Sequence, residues 1–389
     1  MQESGSDFIR PVPPEPDKPK RRHRWLIFLC LGAAVLAALL WYLSTHTTVL
    51  DGALRSLRYL GKSGEDYGTV SFDGLGVTDL ALAGDGLAVA SRGGVTLYAE
   101  NGDRIVRQQA DLTAPALLGN ADALLAYDIG GTYYAVLGTN GKQRAGSRTA
   151  GSIFDADLAE NGEFAVLSAS DDARAVAEVY DAKGELRYRR TSKTNYLNAC
   201  ALSPDGSRLV LATLSQEDIS FASGAKLYRT DSEDELASVN FGDQTIFDLK
   251  FLNDSTVCAV GSGSVVFFNT AGEQLGEYTP ENGDLAAYAY GDGFVAVVLD
   301  QHQTGSRYLL SVLSTDGSVR ASATLDGAPL SLSAAGDYLA VLMSDGLTVF
   351  DSQLSQCSTA ENADWTAVLV RADGTAILAG ADKAELYIP

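Results

Sequence analysis

Apolar and polar segments alternate in a pattern that repeats eight times between Gly68 and Pro389. In each repeat an apolar stretch ends in a pair of aromatic or aliphatic residues, and a polar turn and another short stretch follow. The pairs are Leu97-Tyr98, Val136-Leu137, Val179-Tyr180, Leu227-Tyr228, Phe267-Phe268, Val312-Leu313, Val349-Phe350 and Leu386-Tyr387. Their mean spacing is about 41 residues, which is the length of a four-stranded propeller blade. A unit of this size cannot bury its apolar face alone, so the pattern predicts blades stacked side by side.

The stretches within one repeat differ in polarity. The second is a continuous run of small and β-branched residues, for example residues 164–167 and 209–212, as expected for strands covered on both faces. Turns such as Glu160-Asn161-Gly162 separate the stretches, because Gly and Asn tolerate the positive φ that tight turns need. The fourth stretch is more polar, for example residues 185–188, which suits an outer edge. Since no sustained helical period occurs, residues 68–389 are predicted to be all-β.

The first and last repeats are incomplete in a complementary way. The last repeat starts near Trp365 and contains three stretches before Pro389, whereas a spare stretch, Thr69-Val70-Ser71-Phe72, precedes the first full repeat. This spare stretch is expected to complete the last blade, because closing the ring removes the open sheet edges. The prediction is an eight-bladed β-propeller over 68–389; seven blades remain possible if one repeat has been divided wrongly.

The N-terminal region has a different character. Residues 1–24 contain five of the ten prolines and predict a disordered, basic, Pro-rich tail. Residues 25–43 carry no charge, begin with Trp25, and span about 28 Å as a helix, which matches the thickness of a bilayer. Basic residues directly before this run predict a single-pass transmembrane helix with a cytoplasmic N-terminus and an extracellular propeller at the cell membrane. A cleaved signal peptide is the alternative.

Residues 44–67 are predicted to form a stalk with one short amphipathic helix. Its apolar positions recur at three- and four-residue spacing, and they are Val49, Leu50, Leu54, Leu57 and Leu60. Because a helix of three turns is too short to persist alone, its apolar face should lie on the outer leaflet or dock beneath the propeller.

Charge and cysteine content exclude several classes of function. The whole chain has a net charge of −21, and residues 44–389 alone carry −23, so a phosphate backbone would be repelled and no nucleic-acid role is expected. The same charge keeps an exported protein soluble. Cys200, Cys258 and Cys357 are widely spaced, which favours neither a disulfide framework nor a zinc site. Cys200 and Cys258 lie in apolar stretches, where burial is expected.

Several motifs resemble those of WD40-like propellers. The turn Ser203-Pro204-Asp205-Gly206 and the strand ends Val179-Tyr180-Asp181 and Val349-Phe350-Asp351 carry this resemblance over residues 68–389. No Gly-His dipeptide occurs and no Trp-Asp ends a third strand, so the chain is more similar to the divergent WD40-like or quinoprotein-like group. Its layout resembles that of uncharacterised membrane-anchored propeller proteins of Gram-positive anaerobes. The resemblance implies the fold and the topology, and no activity.

Candidate chemistry is sparse. The three histidines, His23, His46 and His302, are far apart, and no nucleophile elbow, phosphate loop or dinucleotide fingerprint occurs. One arrangement remains, because Asp79, Asp155 and Asp248 occupy matching places in three repeats. These carboxylates could ring the mouth of the channel and bind a hard cation such as Ca²⁺. Alternatively, each accepts hydrogen bonds from the backbone where its strand begins.

Aromatic residues offer a second kind of candidate. Tyr133, Tyr134, Tyr288, Tyr290 and Trp365 could bind a glycan or a peptide if exposed, although packing between blades is the alternative. The function expected from all these features is a non-catalytic scaffold at the cell envelope, which binds an envelope protein or a wall glycan and needs no cofactor. The other hypothesis is an exported propeller enzyme, either quinone-dependent or a lyase or hydrolase, that uses channel carboxylates.

Overall fold

The structure is a computed structural model of the 389-residue chain. It describes residues 29, 32, 47–60, 69–72, 76–217, 220–301, 307–362 and 364–389. The chain forms two compact units, Met1–Leu50 and Asp51–Pro389.

The described residues include little of the predicted N-terminal segments. The predicted tail (1–24), the predicted membrane span (25–43) apart from the helical residues Leu29 and Gly32, and all three histidines lie outside them. Within the described part of the chain, no helix combines the length and the apolar character needed to cross a bilayer.

The unit Asp51–Pro389 contains eight four-stranded antiparallel sheets, which are the blades. Blade 1 consists of β2 (Val77–Ala83), β3 (Gly86–Ser91), β4 (Gly94–Tyr98) and β5 (Arg104–Gln109). Blade 2 consists of β6 (Pro115–Gly119), β7 (Ala123–Asp128), β8 (Tyr133–Gly138) and β9 (Gln143–Arg148). Blade 3 consists of β10 (Ile153–Leu158), β11 (Phe164–Ser168), β12 (Ala175–Tyr180) and β13 (Leu186–Ser192). Blade 4 consists of β14 (Tyr196–Leu202), β15 (Arg208–Glu217), β16 (Ser220–Arg229) and β17 (Glu235–Gly242).

The second half of the ring has the same construction. Blade 5 consists of β18 (Ile246–Asn253), β19 (Thr256–Gly261), β20 (Val265–Asn269) and β21 (Gln274–Tyr278). Blade 6 consists of β22 (Asp284–Gly291), β23 (Phe294–Asp300), β24 (Tyr308–Ser314) and β25 (Val319–Leu325). Blade 7 consists of β26 (Ser331–Ala335), β27 (Tyr338–Leu342), β28 (Gly346–Asp351) and β29 (Gln356–Glu361). Blade 8 consists of β30 (Ala367–Val370), β31 (Ala376–Ala379), β32 (Lys383–Tyr387) and β1 (Val70–Ser71). First strands of neighbouring blades lie against one another, as β14 does against β10 and β18, and in a propeller these strands line the central channel.

The core is divided among the seams between blades. Eight apolar clusters of buried residues each join two neighbouring blades, and the eighth joins blade 8 to blade 1. At the seam of blades 2 and 3, for example, Leu125 of β7 packs in one cluster with Phe164 of β11. This arrangement explains the continuous apolar runs of the sequence, since each second strand is covered on both faces.

The ring closes through the spare stretch at its start. Strand β1 pairs with β32, with Val70 opposite Ala384 and Ser71 opposite Lys383. The Phe72 backbone N–H then donates to the Asp382 carbonyl at 2.7 Å, and the Phe72 side chain is only 2% exposed. The predicted eight blades and the predicted closure by residues 69–72 are therefore confirmed.

The repeated pair of residues has a structural cause. In blades 1 to 7 it lies in the third strand, opposite a β-bulge in the fourth strand, as where Leu97 pairs with Val106 and Tyr98 with Arg104. The extra residue of the fourth strand, Ile105 in blade 1, interrupts the regular ladder at the outer edge. A bulge there makes the edge a poor template for pairing with another chain.

A helix, α1 (Thr47–Arg58), lies within the predicted stalk. Of the two placements predicted for its apolar face, docking beneath the propeller is not found for Leu54 and Leu57. Arg55 and Tyr59 face the propeller, and Tyr59 is buried in the seam of blades 8 and 1, whereas Leu54 and Leu57 are exposed. The helix therefore docks through its polar side. The Arg55 guanidinium donates a hydrogen bond to the backbone carbonyl of Asp373 at 2.7 Å.

Candidate functional site

The mouth of the channel is shaped by bulges at the start of the first strands. Five of these strands, in blades 1, 3, 4, 5 and 6, have a register shift at the same place. The extra residues are Thr78, Phe154, Asn198, Phe247 and Ala286. Bulges at matching positions re-aim the side chains that follow them.

The predicted carboxylates come directly after three of these bulges, and all three bridge to a neighbouring blade. Asp79 Oδ2 accepts a hydrogen bond from the Leu117 backbone N–H at 2.8 Å. Asp155 Oδ2 accepts one from the Cys200 backbone N–H, also at 2.8 Å. Asp248 differs, since its Oδ2 accepts from the Tyr290 hydroxyl at 2.8 Å. Two of the three therefore accept backbone hydrogen bonds, but across a seam rather than only within their own strand.

Three further residues, which were not predicted from the sequence, make the same kind of bond across a seam. Asp157 Oδ2 accepts from the Leu202 backbone N–H at 2.8 Å, two residues further along the same seam as Asp155. In blade 7 the hydroxyls of Ser331 and Ser333 accept from the backbone N–H groups of Val368 and Val370. A usable signal was present, because polar residues two apart on a first strand point to the same seam.

The carboxylates in blades 3 and 5 lie close enough to influence one another. Burial raises the pKa of Asp155 to about 7. The hydrogen bond from the Cys200 N–H acts to lower this pKa, whereas the nearby Asp248 and Asp157 carboxylates act to raise it. Lys250 Nζ lies 3.1 Å from Asp157 Oδ1, and the Asp157 carboxylate raises the pKa of this lysine. The Lys250 side chain keeps 38% of its accessible surface, so it remains open to solvent.

We expect the substitution Asp155→Asn to change how stability depends on pH. The folded protein holds the Asp155 proton between about pH 4, the usual pKa of an aspartate, and its own pKa of about 7. Because the unfolded chain releases this proton earlier, stability falls as the pH rises through that window, by at most about 1.4 kcal/mol per pH unit. Urea unfolding at pH 5 to 8 should show a shallower fall for Asp155→Asn than for the wild type.

The control for this experiment is Asp171→Asn, which removes an exposed carboxylate elsewhere in blade 3. The asparagine at 155 keeps an oxygen that can accept from Cys200. An identical pH slope in the wild type and in Asp155→Asn would show that Asp155 ionises as an ordinary aspartate.

The three carboxylates considered for a cation lie in three different seams. Among the described residues, no group of three or more His, Cys, Asp or Glu side chains is placed to hold a metal ion. Asp79, Asp155 and Asp248 are instead engaged in hydrogen bonds that join blades. Cys200 and Cys258 are free and buried, as predicted, while Cys357 is exposed.

Exposed aliphatic residues lie at the starts of fourth strands at one end of the ring: Ile105, Leu186, Leu236, Leu275 and Val319. The exposed aromatic residues among those described lie at the other end, together with Ile129, in blades 2 to 5. We call this surface the aromatic face, and each of its members is at least 40% exposed: Ile129, Phe154, Tyr196, Phe221 and Phe247. Phe154, Tyr196 and Phe247 lie at the starts of first strands. Ile129 directly follows a second strand, and Phe221 lies at the start of a third strand. In an antiparallel blade these positions fall at the same end, so the five side chains share one face of the propeller.

Local contacts hold parts of this face in place. The loop of Ile129 is tied to blade 3, because the Gly130 backbone N–H donates to the Ile153 carbonyl at 2.8 Å. The guanidinium of Arg174 lies 4.2 Å from the centre of the Tyr196 ring. The Phe247 ring lies 6.2 Å from that of Tyr288.

The aromatic residues singled out from the sequence are mostly packed. Tyr134 and Trp365 are buried, and Tyr290 bonds to Asp248. These three residues therefore pack between blades, which was the alternative to binding a ligand. Phe154, Tyr196 and Phe247 were missed, although Phe154 and Phe247 directly precede predicted carboxylates.

The fold defines the protein as an eight-bladed β-propeller. The chain belongs to the family of unknown function DUF5711, which matches residues 72–353. A comparison with curated proteins gives no match.

Two solved structures illustrate the similarity of fold. The C-terminal WD40 domain of Sif2 has a TM-score of 0.59 and 10% identity, covering 83% of this chain and 98% of that one. BamB from Moraxella catarrhalis has a TM-score of 0.54 and 13% identity, covering 82% of this chain and 98% of that one. At such low identity the likeness is one of fold alone.

Proposed function

We propose that the protein is a membrane-anchored, extracytoplasmic propeller that binds a protein of the cell envelope and has no catalytic role of its own. The aromatic face is the observation that carries this proposal. Exposed apolar groups gathered on one surface mark interaction sites, and aromatic side chains dominate the binding energy of protein interfaces. A closed ring of blades is a rigid platform for such a surface.

The membrane anchor and the location rest on the sequence. The uncharged run at 25–43 follows a basic tail, and the strongly acidic body suits an exported, soluble domain. An envelope partner is the kind of protein that a propeller held outside the cell would meet. A wall glycan is the other ligand that aromatic side chains could bind.

Site-specific cross-linking in intact cells tests the proposal. A photoreactive phenylalanine analogue replaces Tyr196 on the aromatic face or, as a matched control, Leu186, which is equally exposed in blade 3 but begins a fourth strand at the opposite end. We expect a protein adduct from position 196 and none from position 186. Carbohydrate adducts at 196 would shift the ligand to a glycan, and equal labelling at both positions would refute a specific face.

We expect Phe154→Ala and Phe247→Ala each to weaken binding of the cross-linked partner by about tenfold, because each removes an exposed aromatic anchor worth roughly 1–2 kcal/mol. Surface plasmon resonance with the purified partner measures this loss. Leu186→Ala is the control and should leave the affinity unchanged. Unaltered affinity in both aromatic variants would place the interface elsewhere.

An exported propeller enzyme remains the second candidate, and the raised pKa of Asp155 beside the Asp157–Lys250 pair favours it. A carboxyl that titrates near neutrality can exchange protons with a substrate. Absorbance and native mass spectrometry of the protein isolated from membranes would distinguish the candidates. A bound quinone or metal would favour the enzyme, whereas a colourless protein without such a mass would favour the scaffold.

A further inference from the structure

Helix α1 presents two opposite faces, and among its described side chains one face contacts the propeller while the other is exposed. On the docked face, Arg55 donates to the Asp373 carbonyl, and Arg58 forms ion pairs with Asp85 at 2.9 Å and Glu100 at 3.2 Å. Tyr59, which follows the helix, is only 5% exposed within the seam of blades 8 and 1. These contacts fix the rotation of the helix about its axis.

The other face consists of leucines of the helix and of the turn directly after it, which the described part of the chain leaves uncovered. Leu54, Leu57 and Leu60 are 54%, 70% and 77% exposed, more than any other large apolar residue among those described. At about 100° per residue, Leu57 lies roughly 200° around the axis from Arg55. Moving a leucine side chain out of water is favourable, so this face favours an apolar environment. We call these three residues the leucine face.

The reach of the chain identifies what covers this face. Only three residues separate Leu43, the end of the uncharged run, from Thr47, where α1 begins. Four extended steps of the backbone cover at most about 14 Å. The polar zone of a bilayer is roughly 5–8 Å deep on each side, so a run that spans the membrane delivers α1 to the lipid surface.

We propose that the leucine face lies on the outer leaflet of the membrane, with α1 parallel to the bilayer and wedged between lipid and propeller. An amphipathic helix in this position buries its apolar side about 5–10 Å into the headgroup region. The proposal rests on the membrane anchor of the proposed function. It assigns the leucines a lipid surface rather than a protein partner.

This placement also orients the propeller. Asp85 and Asp373, which meet α1, lie in turns that follow the first strands of their blades. The aromatic residues Phe154, Tyr196 and Phe247 lie at the starts of first strands, which is the opposite end of the ring. The aromatic face therefore points away from the membrane, toward the cell wall.

Fluorescence in nanodiscs tests the placement of the helix. The full-length chain, with Cys30→Ala and Cys357→Ser, receives a single environment-sensitive label at Leu57→Cys or Leu60→Cys, and at Tyr196→Cys as the control on the far face. Cys200 and Cys258 are buried and stay unlabelled. With one chain per phosphatidylcholine disc, we expect a blue shift at positions 57 and 60 and loss of emission with brominated lipid, and neither effect at 196.

Each contrary result has a distinct meaning. A chain that stays with the discs through alkaline extraction but shows a water-exposed label at 57 and 60 overturns this placement and leaves the anchor intact. A chain that is washed away overturns the anchor as well. A blue shift that appears only with two chains per disc would show that a second copy, and not lipid, covers the leucines.

Discussion

Replacing Phe72 by alanine should lower the free energy of unfolding by about 3–5 kcal/mol, the cost of removing a large aromatic side chain from a core. Phe72 is 2% exposed and follows the two-residue strand that closes blade 8. Its ring fills the seam cluster that also contains Leu87 of blade 1 and Ile377 of blade 8. The loss therefore weakens the closure of the whole ring, and urea unfolding followed by tryptophan fluorescence measures it.

The neighbouring substitution Ser71→Ala is the control. Ser71 belongs to the same strand but is exposed, so its replacement should change stability by less than about 0.5 kcal/mol. If Phe72→Ala were no more destabilising than Ser71→Ala, the strand at 69–72 would not contribute to the core, and the ring would be closed in some other way.

Replacing Asp157 by alanine should destabilise the protein by about 3 kcal/mol. Its carboxylate is only 5% exposed and joins three blades, because it accepts from the Leu202 N–H of blade 4 and pairs with Lys250 of blade 5. Alanine leaves a buried N–H without an acceptor, and this desolvation cost dominates, since Lys250 can turn toward solvent. Thermal unfolding of the purified protein gives the difference.

Two further variants separate the contributions of Asp157. Asp157→Asn keeps an oxygen for Leu202 and should cost about 1–2 kcal/mol. Lys250→Met leaves a buried carboxylate without its cation, and a double-mutant cycle with Asp157→Asn gives the coupling between the two charges. Equal stability of Asp157→Ala and Asp157→Asn would mean that the seam hydrogen bond contributes nothing.

The two ends of the ring have different chemistry, and this difference supports a division of roles. The end that meets α1 presents acidic turns, where Arg58 forms an ion pair with Asp85 and Arg55 donates to the backbone carbonyl of Asp373. The other end presents the aromatic face beside the bulged first strands. Anchoring at one end leaves the other free for a partner, so the two proposals are compatible and can be tested separately.

The number of blades and the closure of the ring followed from the sequence because they depend on local pattern. Each seam needs strands that are apolar on both sides, and the pair that precedes each fourth-strand bulge recurs at nearly constant spacing. The role of the channel carboxylates did not follow. Asp155 and Asp248 occupy matching positions, yet one accepts from a backbone N–H and the other from a tyrosine, because only the neighbouring blade determines the donor.

The sequence by itself determined an all-β ring of eight blades, buried cysteines and an amphipathic segment before the ring, because periodicity and burial are encoded within each repeat. The tertiary structure alone decided which side of α1 meets the propeller and which aromatic residues are exposed. Phe154 and Phe247 are turned outward by bulges that depend on pairing with the second strand. Alternation along one strand cannot reveal such bulges, since an inserted residue shifts every side chain after it to the other face.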